Sequence, residues 1–218
     1  MEQRETAQSA PQEGKRAQTR RKRIEALQEA GLSLFLSKGI ESVTIDDIVQ
    51  GAGVAKGSFY RYFRDKGDLV ESLFVDLVRQ MEAVFDACEA HLEAARSPEA
   101  LRESYATLAG ALGPMLLEQA GRVLLYLQES RAPAVGARES IHRLTALLNE
   151  RALRLTRAAH AQGLMRPFPH KISAYATLGA IERLLFAFLN GEDLGDLLRL
   201  PGELTSLLLD GLRMRSRS

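Results

Sequence analysis

Apolar residues return every three or four positions along most of this chain, the spacing of one face of an α-helix. Nowhere do they alternate in the every-second-residue pattern of a half-buried strand. Ile24, Leu27, Gly31, Leu34 and Phe35 form the first stripe, which stops at Gly39. That glycine suits the left-handed position that ends a helix, with Ile40 as its apolar follower. Ile45, Ile48, Val49 and Ala52 mark a short helix, opened by Thr44 with Asp47 three residues on in a capping-box arrangement. Gly53 supplies the positive φ of a tight turn, and a third short helix is expected over about 55–62. From about Lys66 one long helix is expected, through Leu69, Leu73, Phe74, Leu77, Met81, Val84, Phe85, Cys88 and Leu92. Ser97 followed by Pro98 restarts the pattern with an N-cap and a proline at the first helical position. That helix is expected to end near Gly113–Pro114, and four more over about 115–131, 136–161, 170–190 and 202–214. The reading is all-α, with about nine helices.

Leucine, alanine, glutamate and arginine dominate the composition and tryptophan is absent, which favours helix over sheet. A single cysteine, Cys88, excludes an internal disulfide. With His91, His142, His160 and His170 scattered, no zinc-site spacing arises, and neither metal nor cofactor is expected. The opening "MEQRETAQSAPQEG" is polar and lacks the apolar core of a signal peptide, so residues 1–17 read as a disordered tail. No apolar stretch reads as long enough to span a bilayer, and a cytoplasmic protein without a membrane partner is expected.

Charge is distributed unevenly. Residues 1–66 carry 12 Lys and Arg against 9 Asp and Glu, a balance of +3; the remaining 17 against 19 give −2. The segment "GKRAQTRRKR" (14–23) holds six cations and no anion. Such a run at one end of the chain points to a polyanion partner there, or to a solvated tail.

Two short helices joined by a glycine turn and preceded by a third form a helix-turn-helix, whose second helix enters the DNA major groove. At 100° per residue, Phe59 and Phe63 fall on one side of "AKGSFYRYF", facing Ile48, Val49 and the first helix. Gly57, Ser58, Tyr60 and Arg61 turn away, with Lys56 at the edge. No acid occurs from 48 to 64. Small residues permit close approach, Lys, Ser and Arg hydrogen-bond base edges, and Tyr60, Tyr62 and Lys66 reach phosphates.

The stretch "TIDDIVQGAGVAKGSFYRYFRDK" (44–66) resembles the helix-turn-helix of the TetR family of transcriptional regulators almost position by position. The resemblance is strong over about residues 19–70 and architectural beyond. It implies three helices for DNA over residues 18–65 and a larger helical domain over 66–218 for ligand binding and dimerisation. Carried across, Lys56, Gly57, Ser58 and Arg61 match base-contacting positions, while Thr44, Tyr60, Tyr62 and Lys66 match phosphate-contacting ones. Three residues depart from the family's habit: Asp46 stands where a basic or neutral residue is usual, Val49 replaces alanine, and Ala55 replaces a capping serine. Arg20, Arg21, Lys22 and Arg23 fit an N-terminal arm that follows the DNA backbone or minor groove.

The same resemblance implies a homodimer built on the last two helices, which would space two recognition helices for a palindromic operator on double-stranded DNA. Ala176, Gly179, Ala180, Leu184, Leu204, Leu207 and Leu208 are its candidate interface, and burial within one subunit would suit each equally. Tyr105, Met115, Tyr126, His142, Tyr175 and Phe186 are candidate lining for an effector pocket, though each also suits ordinary core. The leading expectation is a repressor released by a small, hydrophobic effector. A regulator controlled by a partner protein or by abundance is the alternative. A helical enzyme is remote, because no Gly-x-Ser-x-Gly elbow, His-Glu-x-x-His or phosphate loop occurs.

Overall fold

The computed structural model describes residues 10–196 and 199–211. Ten α-helices and no strand occur among the described residues: α1 (Ala10–Lys38), α2 (Ile45–Gly51), α3 (Lys56–Tyr62), α4 (Lys66–Ser72), α5 (Val75–Ala94), α6 (Pro98–Glu118), α7 (Ala120–Glu129), α8 (Glu139–Ala161), α9 (His170–Leu189) and α10 (Leu200–Gly211). A single 3-10 turn, Gly136–Arg138, leads into α8.

The all-α expectation holds, with ten helices where about nine were expected. The extra one comes from the expected long helix after Lys66, which is broken between α4 and α5 at Leu73 and Phe74. Both residues are buried, so the apolar stripe in the sequence continues through the break. α6 also overruns its expected end and carries Pro114 inside it. Residues 10–17, expected as part of a disordered tail, begin α1; residues 1–9 lie outside those described. Pro11 falls in the first turn, where its missing N–H costs nothing, and Glu, Gln, Lys, Arg and Ala after it are good helix formers.

The chain forms two compact units, one of residues up to Leu73 together with Pro133–Ser140, the other of Phe74–Ala132 and Ile141 onward. In the first, α2 and α4 pack on α1, α3 packs on α2, and the 3-10 turn packs on α4. Leu27, Phe35, Ile40, Ile48, Phe59 and Leu69 are wholly buried there. α1 and α4 approach closely at Gly31, where an added Cβ would meet Leu69 Cδ2 at 2.9 Å. Gln28 crosses between the same helices, its Nε2 donating to Ser72 Oγ at 3.0 Å and to the Ser72 carbonyl at 3.2 Å. Ser140 Oγ donates to the Gly67 carbonyl at 3.1 Å, which ties the 133–140 segment to α4. Gly39 (φ 78°) and Gly53 (φ 65°) hold the left-handed conformations that end α1 and turn the chain into α3.

In the second unit, α5, α6 and α8 share a core of Cys88, Leu92, Leu101, Leu155, Ala158 and Ala159, closed by Met165. Burial raises the Cys88 thiol to about 11, so it stays protonated at neutral pH. Arg151 on α8 pairs with Asp86 (2.7 Å) and Glu82 (3.3 Å) on α5, and Arg154 with Glu89. α7 packs on α9, and α10 on α6.

One expectation about apolar stretches is overturned: α9 holds an 18-residue window of mean hydropathy 1.4 and is long and apolar enough to cross a membrane by length and composition. Its middle nevertheless carries Glu182, bound to Tyr126 and Arg131, and Arg183, paired with Glu192.

Candidate nucleic-acid interface

The interface is built by the α2–turn–α3 segment. Thr44 caps α2: its Oγ1 accepts from the Asp47 N–H at 3.1 Å and donates to Asp47 Oδ2 at 2.6 Å. The Thr44 N–H donates to the same Oδ2 at 2.8 Å, which completes the capping box. These bonds hold the Asp47 carboxyl below the usual aspartate range. The turn closes with the Val54 N–H donating to the Val49 carbonyl at 3.0 Å.

α3 divides into the two faces expected. Phe59 and Phe63 are buried with ring centroids 5.6 Å apart, on a core that also buries Ile48 and Val49. Opposite them, Gly57 and Arg61 are exposed, Ser58 is half-buried, and Tyr60 is 55% exposed with its ring edge-on to Phe59 at 5.5 Å. A Cβ on Gly57 would meet nothing within 4 Å, so no packing among the described residues explains a glycine there. Arg61 makes no ion pair with any of the described residues. Tyr62 is half-buried, and the Arg20 guanidinium of α1 lies 5.9 Å from its ring centroid. Arg20, Arg21, Lys22 and Arg23 are all exposed on α1, with Arg21 paired to Glu25 at 2.7 Å. They are part of a helix, not an extended arm.

Two cations are less free than their positions implied. Lys56 Nζ sits 2.8 Å from Asp46 Oδ1 and 3.0 Å from Oδ2, a hydrogen-bonded pair that raises the lysine above its ordinary value. Lys66 donates to the carbonyls of Ile40 (2.7 Å), Val43 (2.9 Å) and Glu41 (3.2 Å). An ammonium has three protons, and these three carbonyls use them all. Here Lys66 braces the α1–α2 loop against the start of α4, where a phosphate contact was expected. Asp46, read from sequence only as a departure, emerges as a member of the surface. Its signal was its position, two residues after the cap at the start of α2.

The candidate pocket residues lie on α6, α7, α8 and α9. Tyr105 packs on the Cys88–Leu155 core, and burial pushes its hydroxyl well above the ordinary tyrosine range. Tyr126 is buried and donates to Glu182 Oε1 at 2.7 Å. His142 Nε2 lies 2.7 Å from the Ala132 carbonyl, Met115 and Phe186 are half-buried, and Tyr175 is 45% exposed with Lys171 over its ring. A shallow depression in this unit is lined by other residues, among them Val78, Phe85, Leu144, Leu148 and Arg151, and it does not enclose room for a water.

Of the candidate dimer residues, Ala176 and Leu207 are exposed, the latter by 72%, while Gly179, Ala180, Leu184 and Leu204 are half-buried. The Leu208 side chain lies outside the described residues.

The family described as "Bacterial regulatory proteins, tetR family" matches residues 27–73. The transcriptional regulator AcuR of Cereibacter sphaeroides is 33% identical over 130 residues, 57% of this chain and 59% of that protein. The HTH-type transcriptional repressor KstR2 of Mycolicibacterium smegmatis is 32% identical over 77 residues, 35% of this chain and 36% of that one. This chain therefore spans less than two thirds of either relative. Among solved structures, NalD, the secondary repressor of the MexAB-OprM multidrug efflux pump in Pseudomonas aeruginosa, is similar with a TM-score of 0.68. It is 21% identical, and the match covers 91% of this chain and 100% of that one. FadR from Bacillus subtilis, solved in complex with stearoyl-CoA, has a TM-score of 0.65 at 18% identity, covering 87% and 99%. At these identities the two structures establish a shared fold. Residues 27–73 of this chain thus match the tetR family of bacterial regulatory proteins, and the described helices share the fold of these two solved regulators.

Proposed function

We propose that this protein is a homodimeric, sequence-specific DNA-binding regulator, a repressor released from a palindromic operator by a small hydrophobic effector. The observation that carries the DNA-binding part is the outer face of α3. Gly57 occupies an exposed helical position with no packing reason to lack a side chain, at a propensity cost of about 1 kcal/mol against alanine. Beside it, Ser58, Tyr60 and Arg61 face outward in a stretch without acids. Close approach by a polyanion accounts for both features.

The dimer reading rests on α9. Ile172, Tyr175, Ala176 and Gly179 follow the three–four spacing of one helix face; the first three are exposed, and a Cβ on Gly179 would meet nothing within 4 Å. An apolar stripe of this kind needs a cover, and a second copy supplies one by isologous pairing. In the mechanism we favour, effector binding shifts a two-state dimer toward a spacing of recognition helices that no longer fits adjacent major grooves. The stearoyl-CoA complex of FadR supports a hydrophobic effector. The alternative is a regulator without a small-molecule inducer, controlled by a partner protein or by abundance. A thermal-shift screen of acyl compounds, read together with release of DNA, separates the two.

The DNA reading is tested by anisotropy with the full-length protein and a duplex from upstream of its own gene. Arg61→Ala is expected to weaken binding by about 1–3 kcal/mol and to relax the preference for that duplex over an unrelated one. Equal, weak binding of the unmutated protein to both duplexes would end the proposal.

A further inference from the structure

We propose that Asp46 is a specificity-determining residue of this interface: it holds Lys56 away from indiscriminate phosphate contact, and the pair together recognises a G·C base pair. The inference rests on the DNA-binding reading above.

The two neighbouring acids at the start of α2 do different things. Asp47 is consumed by the cap, taking both the N–H and the hydroxyl of Thr44. Asp46 takes no part in that cap. Both its carboxylate oxygens lie on the Lys56 ammonium, at 2.8 and 3.0 Å, across the turn between α2 and α3. The fold does not need this bond. Ile48, Val49 and Phe59 already lock the two helices, and the turn carries its own backbone bond from Val54 to Val49. The pair is also largely in water, with 53% of the lysine side chain and 69% of the aspartate side chain exposed, where such bridges contribute little to stability.

Its consequence lies in what it does to charge at the outer face. Lys56 is the first residue of α3, on the same helix as Gly57, Ser58 and Arg61. A free lysine there would neutralise a phosphate on any duplex and raise affinity for all of them alike. Tied to Asp46, the site is neutral and releases no counterion. Leaving Asp46 is favourable only where Lys56 finds good acceptors and the carboxylate finds a donor of its own. The major-groove edge of a G·C pair presents both: O6 and N7 of guanine accept from lysine, and the N4 amino group of cytosine donates to a carboxylate. An A·T pair lacks this guanine acceptor pair, and a phosphate offers the carboxylate only repulsion.

The test compares unmutated full-length protein, Asp46→Asn, Lys56→Gln and the double variant by anisotropy over a salt series, on the upstream duplex and on an unrelated one. Asp46→Asn is expected to tighten binding to the unrelated duplex by about tenfold and to steepen its log–log salt slope by about 0.9 per subunit bound. The ratio between the duplexes should then fall by a similar factor. Adding Lys56→Gln should return the slope to the unmutated value, since the freed lysine is what binds the extra phosphate. Melting curves check that Asp46→Asn keeps its fold. If Asp46→Asn, folded, leaves slope and ratio unchanged, or weakens both duplexes equally, Asp46 is not a specificity residue. That outcome differs from loss of the broader reading, in which the unmutated protein itself would not distinguish the duplexes.

Discussion

Beneath α3, Leu27, Phe35, Ile48, Phe59 and Leu69 are each wholly buried and none has a polar side-chain atom; the buried Ser140 of this unit lies in its 133–140 segment, on the Gly67 carbonyl. The second unit buries Ser104, Glu129, Thr156 and Ser173 as well, and it keeps the Tyr126 hydroxyl inside on Glu182, which in turn holds Arg131 at 2.6 Å. Burial and the bond to Glu182 both push that hydroxyl well above the ordinary tyrosine range. An apolar core specifies shape by packing alone and tolerates few rearrangements. A buried polar network depends on every partner being present, and loses the desolvation cost of a group when one is removed. The first arrangement suits a surface that must offer Gly57, Ser58 and Arg61 in fixed register. The second suits a unit whose proposed task is to change state.

Two substitutions break this contrast if it is wrong. Phe59→Ala should have the largest effect, about 3–5 kcal/mol, because a fully buried ring is lost and leaves a cavity in its place. Urea unfolding followed by circular dichroism should then show an early transition, and DNA binding should disappear. A shift below about 1 kcal/mol would mean that the core is looser than its burial implies. Glu182→Ala is expected to cost less, about 1–3 kcal/mol, by removing the acceptor of the buried Tyr126 hydroxyl, which keeps only its bond with Thr145. Combining it with Tyr126→Phe should recover part of that loss, since no polar atom is then left unpaired. Strict additivity of the two would show that the bond does not couple them.

Features that answer a local backbone demand were legible in the sequence. Thr44 with Asp47, Gly39, Gly53 and Ser97 with Pro98 all occupy the expected cap and turn positions, because each requirement is met within a few residues. The division of α3 into Phe59 and Phe63 against Gly57 and Arg61 follows from helical geometry and is seen as expected. Long-range partners were not legible. Glu182 meets Tyr126 from 56 positions away, and Lys66 meets carbonyls 23 to 26 positions back; no periodicity encodes either. The break at Leu73–Phe74 was hidden for a different reason. Leu69, Leu73, Phe74 and Leu77 are all buried, so their spacing remains helical although α4 ends and α5 begins between them.

The smallest predicted effect concerns α3, which among α2, α3 and α4 is the helix that starts without a side-chain cap. α2 begins at Thr44 and α4 at Asp65, whose carboxylate accepts from the Asp68 N–H at 2.8 Å. Between them α3 begins at Ala55, whose φ of −72° and ψ of 147° are already those of a cap residue but whose side chain has no acceptor. Ala55→Ser should therefore need no backbone change, and its hydroxyl can accept from the N–H of Gly57 or Ser58. The expected gain is about 1 kcal/mol, which for a chain of this size raises Tm by about 2–4 °C. Ala55 is exposed and its serine would bond inward to the helix end, so DNA affinity measured in parallel should not change. If stability rises and affinity holds, the missing cap is a simple defect of an otherwise fully satisfied unit. If affinity falls as stability rises, the loose start of α3 is itself used, giving Lys56 the freedom to leave Asp46 when a base edge competes for it.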